Sequence, residues 1–136
     1  MPESHEIGAL VAASKKAVEH AYAPYSGFKV GAAVLGASGR IYTGCNVENA
    51  SYGLSVCAER TAVFKAISEG ERAIRAVAIS NSSGKAAFPC GACRQVIAEF
   101  APAGETVTIY LVSDQGVETY TLADLLPHVF KLETSP

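Results

Sequence analysis

The sequence predicts an α/β fold, a three-layer α-β-α sandwich built on a mixed five-stranded sheet. Three observations predict it. Apolar residues recur at helical spacing in some segments, short β-rich runs separate those segments, and glycine or proline stands near most junctions. At 136 residues, with 49% hydrophobic and 18% charged residues, the chain has the size and composition of one globular domain, residues 1–136.

The first elements are a helix and a hairpin. Residues 6–22 place Leu10, Val18 and other apolar residues at helical spacing, and Pro24 ends that helix. β-type runs at residues 28–35 and 40–47 are joined by a turn with glycine at both ends, so they are predicted to pair as an antiparallel hairpin.

Helices and strands then alternate. A polar loop leads to a helix that begins near Cys57 and stops near Gly70, and residues 74–80 form a buried strand. A loop with Pro89 and Gly91 opens the next helix. The remaining predicted elements are strands at 107–112 and 117–120, a short helix at 122–126 and a frayed tail at 133–136. Helices between strands imply parallel crossovers, and ligand sites in such sheets lie at strand ends and helix N-termini.

Charge and hydropathy exclude several partners. The net charge is −2 and there is no basic run, which argues against a nucleic-acid polymer or an anionic membrane as partner. No apolar stretch reaches the ~18 residues of a membrane span, and the N-terminal residues lack the pattern of a secretory signal. We therefore expect a cytoplasmic protein that acts on a small molecule, whose cysteines are metal ligands or free thiols rather than disulfides.

Three cysteines and a glutamate carry the chemistry. Cys57 and Glu59 are two residues apart, and Cys90 and Cys93 form a Cys-x-x-Cys pair about thirty residues later. Three thiolates can hold one Zn²⁺ and leave a fourth position open for water, whereas a structural site normally uses four protein ligands. Glu59 is then available to carry protons beside that water.

The positions of these residues at predicted helix starts suit the chemistry, because the positive end of a helix favours the thiolate. Residues two apart on a regular helix point to nearly opposite sides. Cys57 and Glu59 can therefore share a pocket only if Cys57 lies at the helix lip. Three thiolates around Zn²⁺ leave a charge of −1, and we expect Arg60, Arg94 or both to hydrogen-bond the sulfurs and offset it.

Other interpretations of the cysteines are weaker. Cys-x-x-Cys alone is compatible with a redox pair or with half of a structural zinc knuckle. The redox interpretation leaves Cys57 with Glu59 unexplained. A fourth ligand would have to be Cys45 or a histidine. Cys45 lies in a predicted strand and is expected to pack as a small apolar residue, and His5, His20 and His128 show no ligand spacing.

Four motifs in order resemble those of the zinc-dependent cytidine deaminases, specifically the short homotetrameric class. They are Ala-Pro-Tyr-Ser at 23–26 with Phe28 and Val-Gly-Ala-Ala at 30–33, Gly-Cys-Asn-Val-Glu-Asn-Ala-Ser-Tyr at 44–52, Cys-Ala-Glu-Arg-Thr-Ala at 57–62, and Pro-Cys-Gly-Ala-Cys-Arg-Gln at 89–95. The similarity runs from about residue 22 to residue 130. It implies hydrolytic deamination of cytidine and 2′-deoxycytidine, with release of ammonia, in pyrimidine salvage.

The resemblance also implies a role for each matching residue. Cys57, Cys90 and Cys93 would bind one zinc ion per subunit, and Glu59 would pass protons from the zinc-bound water to N3 and the leaving ammonia. Phe28 would line the base pocket, and the backbone around Ala58 would accept the base's amino group. The remaining substrate-binding residues would be Asn46, Val47 and Glu48 at the sugar and Phe130, which reaches the base from a neighbouring subunit of a homotetramer with shared active sites.

Several alternatives stay open. Asn46 could instead cap a loop, and Phe28 or Phe130 could pack in the core. A related zinc deaminase acting on another aminopyrimidine nucleoside such as blasticidin S is the nearest rival, although Asn46 with Glu48 favours ribose. In deaminases of polynucleotides the zinc-binding motif usually starts with His-x-Glu, and the protein carries a basic surface that binds the strand. This chain has Cys-x-Glu and no basic run. A non-catalytic module that zinc merely stabilises is the remaining alternative.

Overall fold

The computed structural model describes residues 2–132 and contains the predicted order of elements. The helices are α1 Ser4–Ala17, α2 Ala58–Ser68, α3 Gly91–Glu99 and α4 Leu122–Leu125. The strands are β1 Val30–Gly36, β2 Ile41–Cys45, β3 Ile74–Asn81, β4 Thr108–Ser113 and β5 Gly116–Thr121. The tail predicted at 133–136 lies outside the described residues.

The five strands form one mixed sheet in the order β2-β1-β3-β4-β5. β1 is antiparallel to both β2 and β3, β4 is antiparallel to β5, and β3 and β4 are the parallel pair. The α3 crossover therefore joins parallel neighbours, as expected. The α2 crossover also joins strands that run the same way, β2 and β3, but β1 lies between them.

Helices cover both faces of the sheet, which confirms the three-layer architecture. Alternate residues of β1 point to opposite faces, as the strand period requires. Ala33 and Leu35 pack with Leu10 of α1, whereas Ala32 and Val34 belong to the core under α2 and α3. None of the helices within residues 2–132 has the length and apolar character that a bilayer crossing requires.

Two glycines let helices approach the sheet closely. A Cβ atom on Gly31 would lie 2.4 Å from the carbonyl oxygen of Ser14 in α1, and one on Gly44 would lie 2.4 Å from the backbone nitrogen of Ala62 in α2. A side chain at Gly44 would push α2 away from the end of β2. Since α2 begins at Ala58, this contact helps to fix where the Cys57 and Glu59 region lies.

A buried carboxylate stabilises the turn between β1 and β2. Glu71, 7% exposed, accepts hydrogen bonds from the hydroxyl of Tyr42 (2.9 Å), the backbone N–H of Ser38 (3.3 Å) and the Ser38 hydroxyl. The Ser38 hydroxyl, followed by the Tyr42 hydroxyl and the Ser38 N–H, holds the pKa of Glu71 below its usual value.

Replacing Glu71 with glutamine is expected to lower the free energy of unfolding by about 2 kcal/mol at pH 7, because hydrogen bonds to a charged acceptor are lost. A depressed carboxyl pKa contributes stability above the unfolded-state pKa of about 4.3, and this contribution disappears as the pH falls through the lower folded-state value. Urea unfolding of both proteins at pH 7 and in acid checks this. A difference that stays constant below pH 4 would contradict it.

Candidate active site

Both cysteine motifs lie at the N-termini of helices. Cys57 is the N-cap of α2 and Cys90 is the N-cap of α3, and both have extended backbone angles. Cys93 lies in the first turn of α3 and is completely buried. Because the residue before a helix is not bound by helical periodicity, the Cys57 side chain can share a pocket with Glu59, and both residues line the same cavity.

The three sulfur atoms converge on one point. Cys57 Sγ lies 3.9 Å from Cys90 Sγ, which lies 3.4 Å from Cys93 Sγ. Tetrahedral zinc with Zn–S bonds of about 2.3 Å separates its sulfur ligands by roughly 3.8 Å. Within residues 2–132 these cysteines are the one group of three or more candidate ligand atoms close enough to hold a metal ion. The donor set and its spacing therefore fit zinc.

The remaining candidate ligands lie elsewhere. Cys45 is at the end of β2 and half-buried, outside the cluster. His5, His20 and His128 are exposed and outside the cluster too. Among the described residues the zinc centre thus keeps three protein ligands, the number typical of a catalytic site.

Positive charge lies against the sulfurs on one side. Nη2 of Arg60 donates to Cys57 Sγ at 3.6 Å, and its Nε is buried without a partner among the described residues. A hydrogen bond from Cys93, together with the nearby Arg60 guanidinium, lowers the pKa of Cys57 to about 5. A cation with a buried nitrogen suits a cluster that carries net negative charge.

Arg94 acts on the main chain instead. Its Nε donates to the carbonyl of Pro89 at 2.8 Å, and its Nη1 donates to the carbonyl of Leu125 at 2.6 Å. Pro89 immediately precedes Cys90, and Leu125 is the last residue of α4. Of the two arginines, Arg60 therefore contacts a sulfur, while Arg94 ties the Cys90 loop to the C-terminal segment.

Glu59 is the buried acid of the site. Its side chain is in the first turn of α2 and is 5% exposed. Burial raises the pKa of Glu59 to about 7, and the charge of Cys57 adds to the rise. A carboxyl group with a pKa near neutrality can both take up and release a proton at physiological pH.

The pocket around Glu59 has a volume of about 210 Å³ and brings together six of the predicted site residues. They are Phe28, Asn46, Cys57, Ala58, Glu59 and Cys90. A larger cavity of about 460 Å³, near Leu126 and Val129, contains none of them, so the chemistry and not the size of the cavity locates the site. The pocket also includes Phe88, which sequence reasoning missed.

The residues expected at the sugar divide between two neighbouring sites. Asn46 lines the Glu59 pocket, but its side chain also accepts from Val30 N–H and donates to the Phe28 carbonyl, both at 2.8 Å. Glu48 lines an adjoining cavity with Tyr52 and others. Val47 stands between Asn46 and Glu48 in the sequence, and its main chain pairs with that of Val56.

The Glu48 carboxylate caps a turn beside the pocket. It accepts from the backbone N–H groups of Tyr25 and Ser26 at 3.0 and 3.1 Å, and from the Ser26 hydroxyl at 2.5 Å. Mainly because of the two Ser26 bonds, the pKa of Glu48 lies below its usual value. Glu48 is therefore a fixed, charged acceptor in the adjoining cavity.

Phe130 is outside the Glu59 pocket of its own chain. Its side chain is 70% exposed, and Gln95 Nε2 donates to its carbonyl at 3.0 Å. Gln95 belongs to α3, two residues after Cys93, so the segment that carries Phe130 is anchored to the helix of the metal site.

Replacing Arg60 with glutamine is expected to retain zinc and lower kcat by roughly 10- to 100-fold, because the sulfurs keep more negative charge and leave the metal a weaker Lewis acid. Arg60→Lys keeps the positive charge, so its kcat should lie between that of Arg60→Gln and that of the wild type. Steady-state kinetics with metal analysis tests this, and unchanged turnover in Arg60→Gln would rule it out.

The chain is similar to known proteins. Residues 4–110 match the family model described as cytidine and deoxycytidylate deaminase zinc-binding region. The chain is 50% identical over 129 residues to the cytidine deaminase of Sporosarcina psychrophila, covering 94% of this chain and 93% of that protein.

Solved structures are similar as well. The crystal structure of cytidine deaminase from Burkholderia pseudomallei has a TM-score of 0.83 and 46% identity, covering 95% of this chain and all (100%) of that one. The cytidine deaminase from Mycobacterium tuberculosis has a TM-score of 0.80 and 40% identity, covering 93% and 98%. With the three-cysteine centre and the mixed sheet in place, the chain belongs to the cytidine deaminase family of zinc-dependent hydrolases.

Proposed function

We propose that this protein converts cytidine and 2′-deoxycytidine to uridine and 2′-deoxyuridine, with release of ammonia, in cytoplasmic pyrimidine salvage. One observation carries the proposal: the buried Glu59 carboxyl shares a small pocket with Cys57 and Cys90 of the zinc centre. We also infer that residues 1–136 act as one catalytic domain, because both cysteine motifs open helices that pack on the same face of one sheet.

Bound zinc would supply a Lewis acid that lowers the pKa of water toward neutrality. Glu59 would take a proton from the attacking water and deliver it to N3 of the base. Once the C4–O bond has formed, Glu59 would take the remaining proton of the attacking water from the C4 hydroxyl and deliver it to the C4 amino group. The C4–N bond would then break, C4=O would form, and ammonia would leave. A carboxyl pKa of about 7 suits both transfers.

The pocket residues would bind and orient the nucleoside. Phe28 would offer an apolar face to the base, and Ala58, which is completely buried, lines the same pocket as Cys57 and Cys90. Asn46 and the ionised Glu48 supply a donor and acceptors at the edge where a sugar diol would lie. Their bonds to main-chain groups keep both side chains fixed, which lowers the entropy lost on binding.

We further propose a homotetramer in which Phe130 enters a neighbouring subunit's pocket. Its exposed ring, and the exposed apolar side chains of Tyr25, Tyr52 and Leu54, would be costly to leave in water. Light scattering tests the assembly. Coexpressing Phe130→Ala with Glu59→Gln tests the sharing, because mixed tetramers should recover activity that neither variant has alone.

The decisive experiment measures the absorbance decay of cytidine and the release of ammonia with purified, zinc-loaded protein. Cytosine and blasticidin S are assayed alongside. Turnover of cytidine with little or none of the other two supports the assignment. An inert cytidine would overturn it, and turnover of blasticidin S alone would assign the rival substrate.

A further inference from the structure

We infer that Phe88 forms the pocket wall that faces the C5 edge of the pyrimidine base, and that it sets which 5-substituted cytidines the enzyme accepts. The inference rests on the proposed function, since it concerns the same pocket. It gives a role to a residue that none of the four sequence motifs includes.

The exposure of Phe88 points to a ligand. The side chain is 50% exposed although it lines the pocket that contains Phe28 and Glu59. An apolar ring that stays open to water is unfavourable, and a flat heterocycle bound against it would remove that apolar area from water. Phe88 is also two residues before Cys90, and both residues line this pocket.

The ring is supported from the sheet. The Tyr120 ring of β5 lies against it with centroids 5.0 Å apart and planes tilted by 59°. The Tyr120 hydroxyl donates to Glu118 at 2.6 Å, which fixes the supporting ring in turn. Pro89 restricts the backbone of Phe88 to extended conformations. The wall is therefore held in place by β5 and by Pro89.

Reaction geometry then assigns the edge of the base. Deamination requires C4 to face the three sulfurs and N3 to face Glu59. In a pyrimidine ring N3 and C5 lie on opposite sides of C4, so C5 faces the wall away from Glu59. Glu59 comes from α2, whereas Phe88 comes from the segment that leads into α3. The pocket has two aromatic side chains, and Phe28 is proposed to lie at the face of the base, so we assign Phe88 to the C5 substituent.

The test compares cytidine, 2′-deoxycytidine and 5-methylcytidine as substrates of Phe88→Ala. We expect the KM for cytidine to rise about fivefold or more, because apolar contact with the edge of the base is lost. The ratio of kcat/KM for 5-methylcytidine to that for cytidine should rise about tenfold, because space for one methyl group is created. The ratio of 2′-deoxycytidine to cytidine should not change, because the sugar is remote from this wall.

Four further variants complete the test. Phe88→Leu fills part of the space and should give an intermediate 5-methylcytidine ratio even if the alanine variant folds poorly. Tyr120 is a positioning residue, so Tyr120→Ala should move the ratio in the same direction and Tyr120→Phe should restore it. Phe64, also 50% exposed but outside this pocket, is the matched control, and Phe64→Ala should leave the ratio unchanged.

An unchanged 5-methylcytidine ratio in zinc-loaded Phe88→Ala or Phe88→Leu would overturn the inference alone, provided that the wild type deaminates cytidine. A wild type without activity on cytidine would overturn the proposed function and this inference with it. The two failures are therefore distinguishable.

Discussion

Replacing Glu59 with glutamine is expected to lower kcat for cytidine by about a thousandfold or more while zinc content stays at the wild-type level. The amide keeps the size and shape of the carboxyl group, so folding and the three cysteine ligands are retained. It cannot take up or release a proton, and the proposed reaction needs Glu59 for transfers to both N3 and the leaving amino group. The measurement is steady-state kinetics combined with metal analysis.

Glu71 provides the matched control for this prediction. It is also a glutamate that is more than nine-tenths buried, at 7% exposure against 5% for Glu59, but it lies at the turn between β1 and β2. Glu71→Gln should lose stability and keep its turnover, whereas Glu59→Gln should lose turnover and keep its stability. A Glu59→Gln enzyme within tenfold of the wild type would show that another group moves the protons.

The order of elements could be predicted because it depends on local signals: apolar periodicity, Pro24, and the glycines of the turns. The bounds were less accurate where long-range pairing decides them. β2 was predicted to reach Val47 but ends at Cys45, because the main chain of Val47 pairs with Tyr22 and Val56. The first helix was predicted to reach residue 22, but it ends at Ala17 and tightens into a 3₁₀ turn over Val18–His20.

At the site, the sequence spacing of the cysteines and Glu59 was enough to predict their roles. The contacts that Arg60, Arg94 and Phe88 make in the folded protein could not be predicted in this way. Cys57 and Glu59 are two residues apart, so their side chains can share a pocket only if Cys57 is the N-cap of the helix. In the structure Cys57 is the N-cap of α2. The sequence did not show which of Arg60 and Arg94 contacts a sulfur, because either long side chain can reach sulfur or carbonyl acceptors. Phe88 was missed because its exposure and its contact with Tyr120 depend on β5, about thirty residues away. Its position before Pro89 and close to a ligand was the one available signal.

Replacing Cys93 with serine is expected to reduce zinc from about one ion per chain to nearly none, and with it almost all activity. Cys93 is completely buried, so solvent or a mobile side chain cannot easily take its place as a ligand. A serine hydroxyl is a poor substitute, because it keeps its proton at neutral pH and is a harder donor than thiolate. Two remaining cysteines should release the metal to a chelator.

Cys45→Ser separates this effect from the general loss of a thiol. Cys45 is partly buried at the end of β2 and lies outside the cluster, so this variant should keep its zinc and its turnover. A chelator should lower the Tm of the wild type and of Cys45→Ser, because an ion that binds the folded state stabilises it, and should leave the Tm of Cys93→Ser unchanged. If Cys93→Ser retained a full equivalent of zinc and responded to the chelator like the wild type, the three-thiolate centre would be the wrong assignment. The same result with activity intact would mean that Cys57 and Cys90 suffice for catalysis.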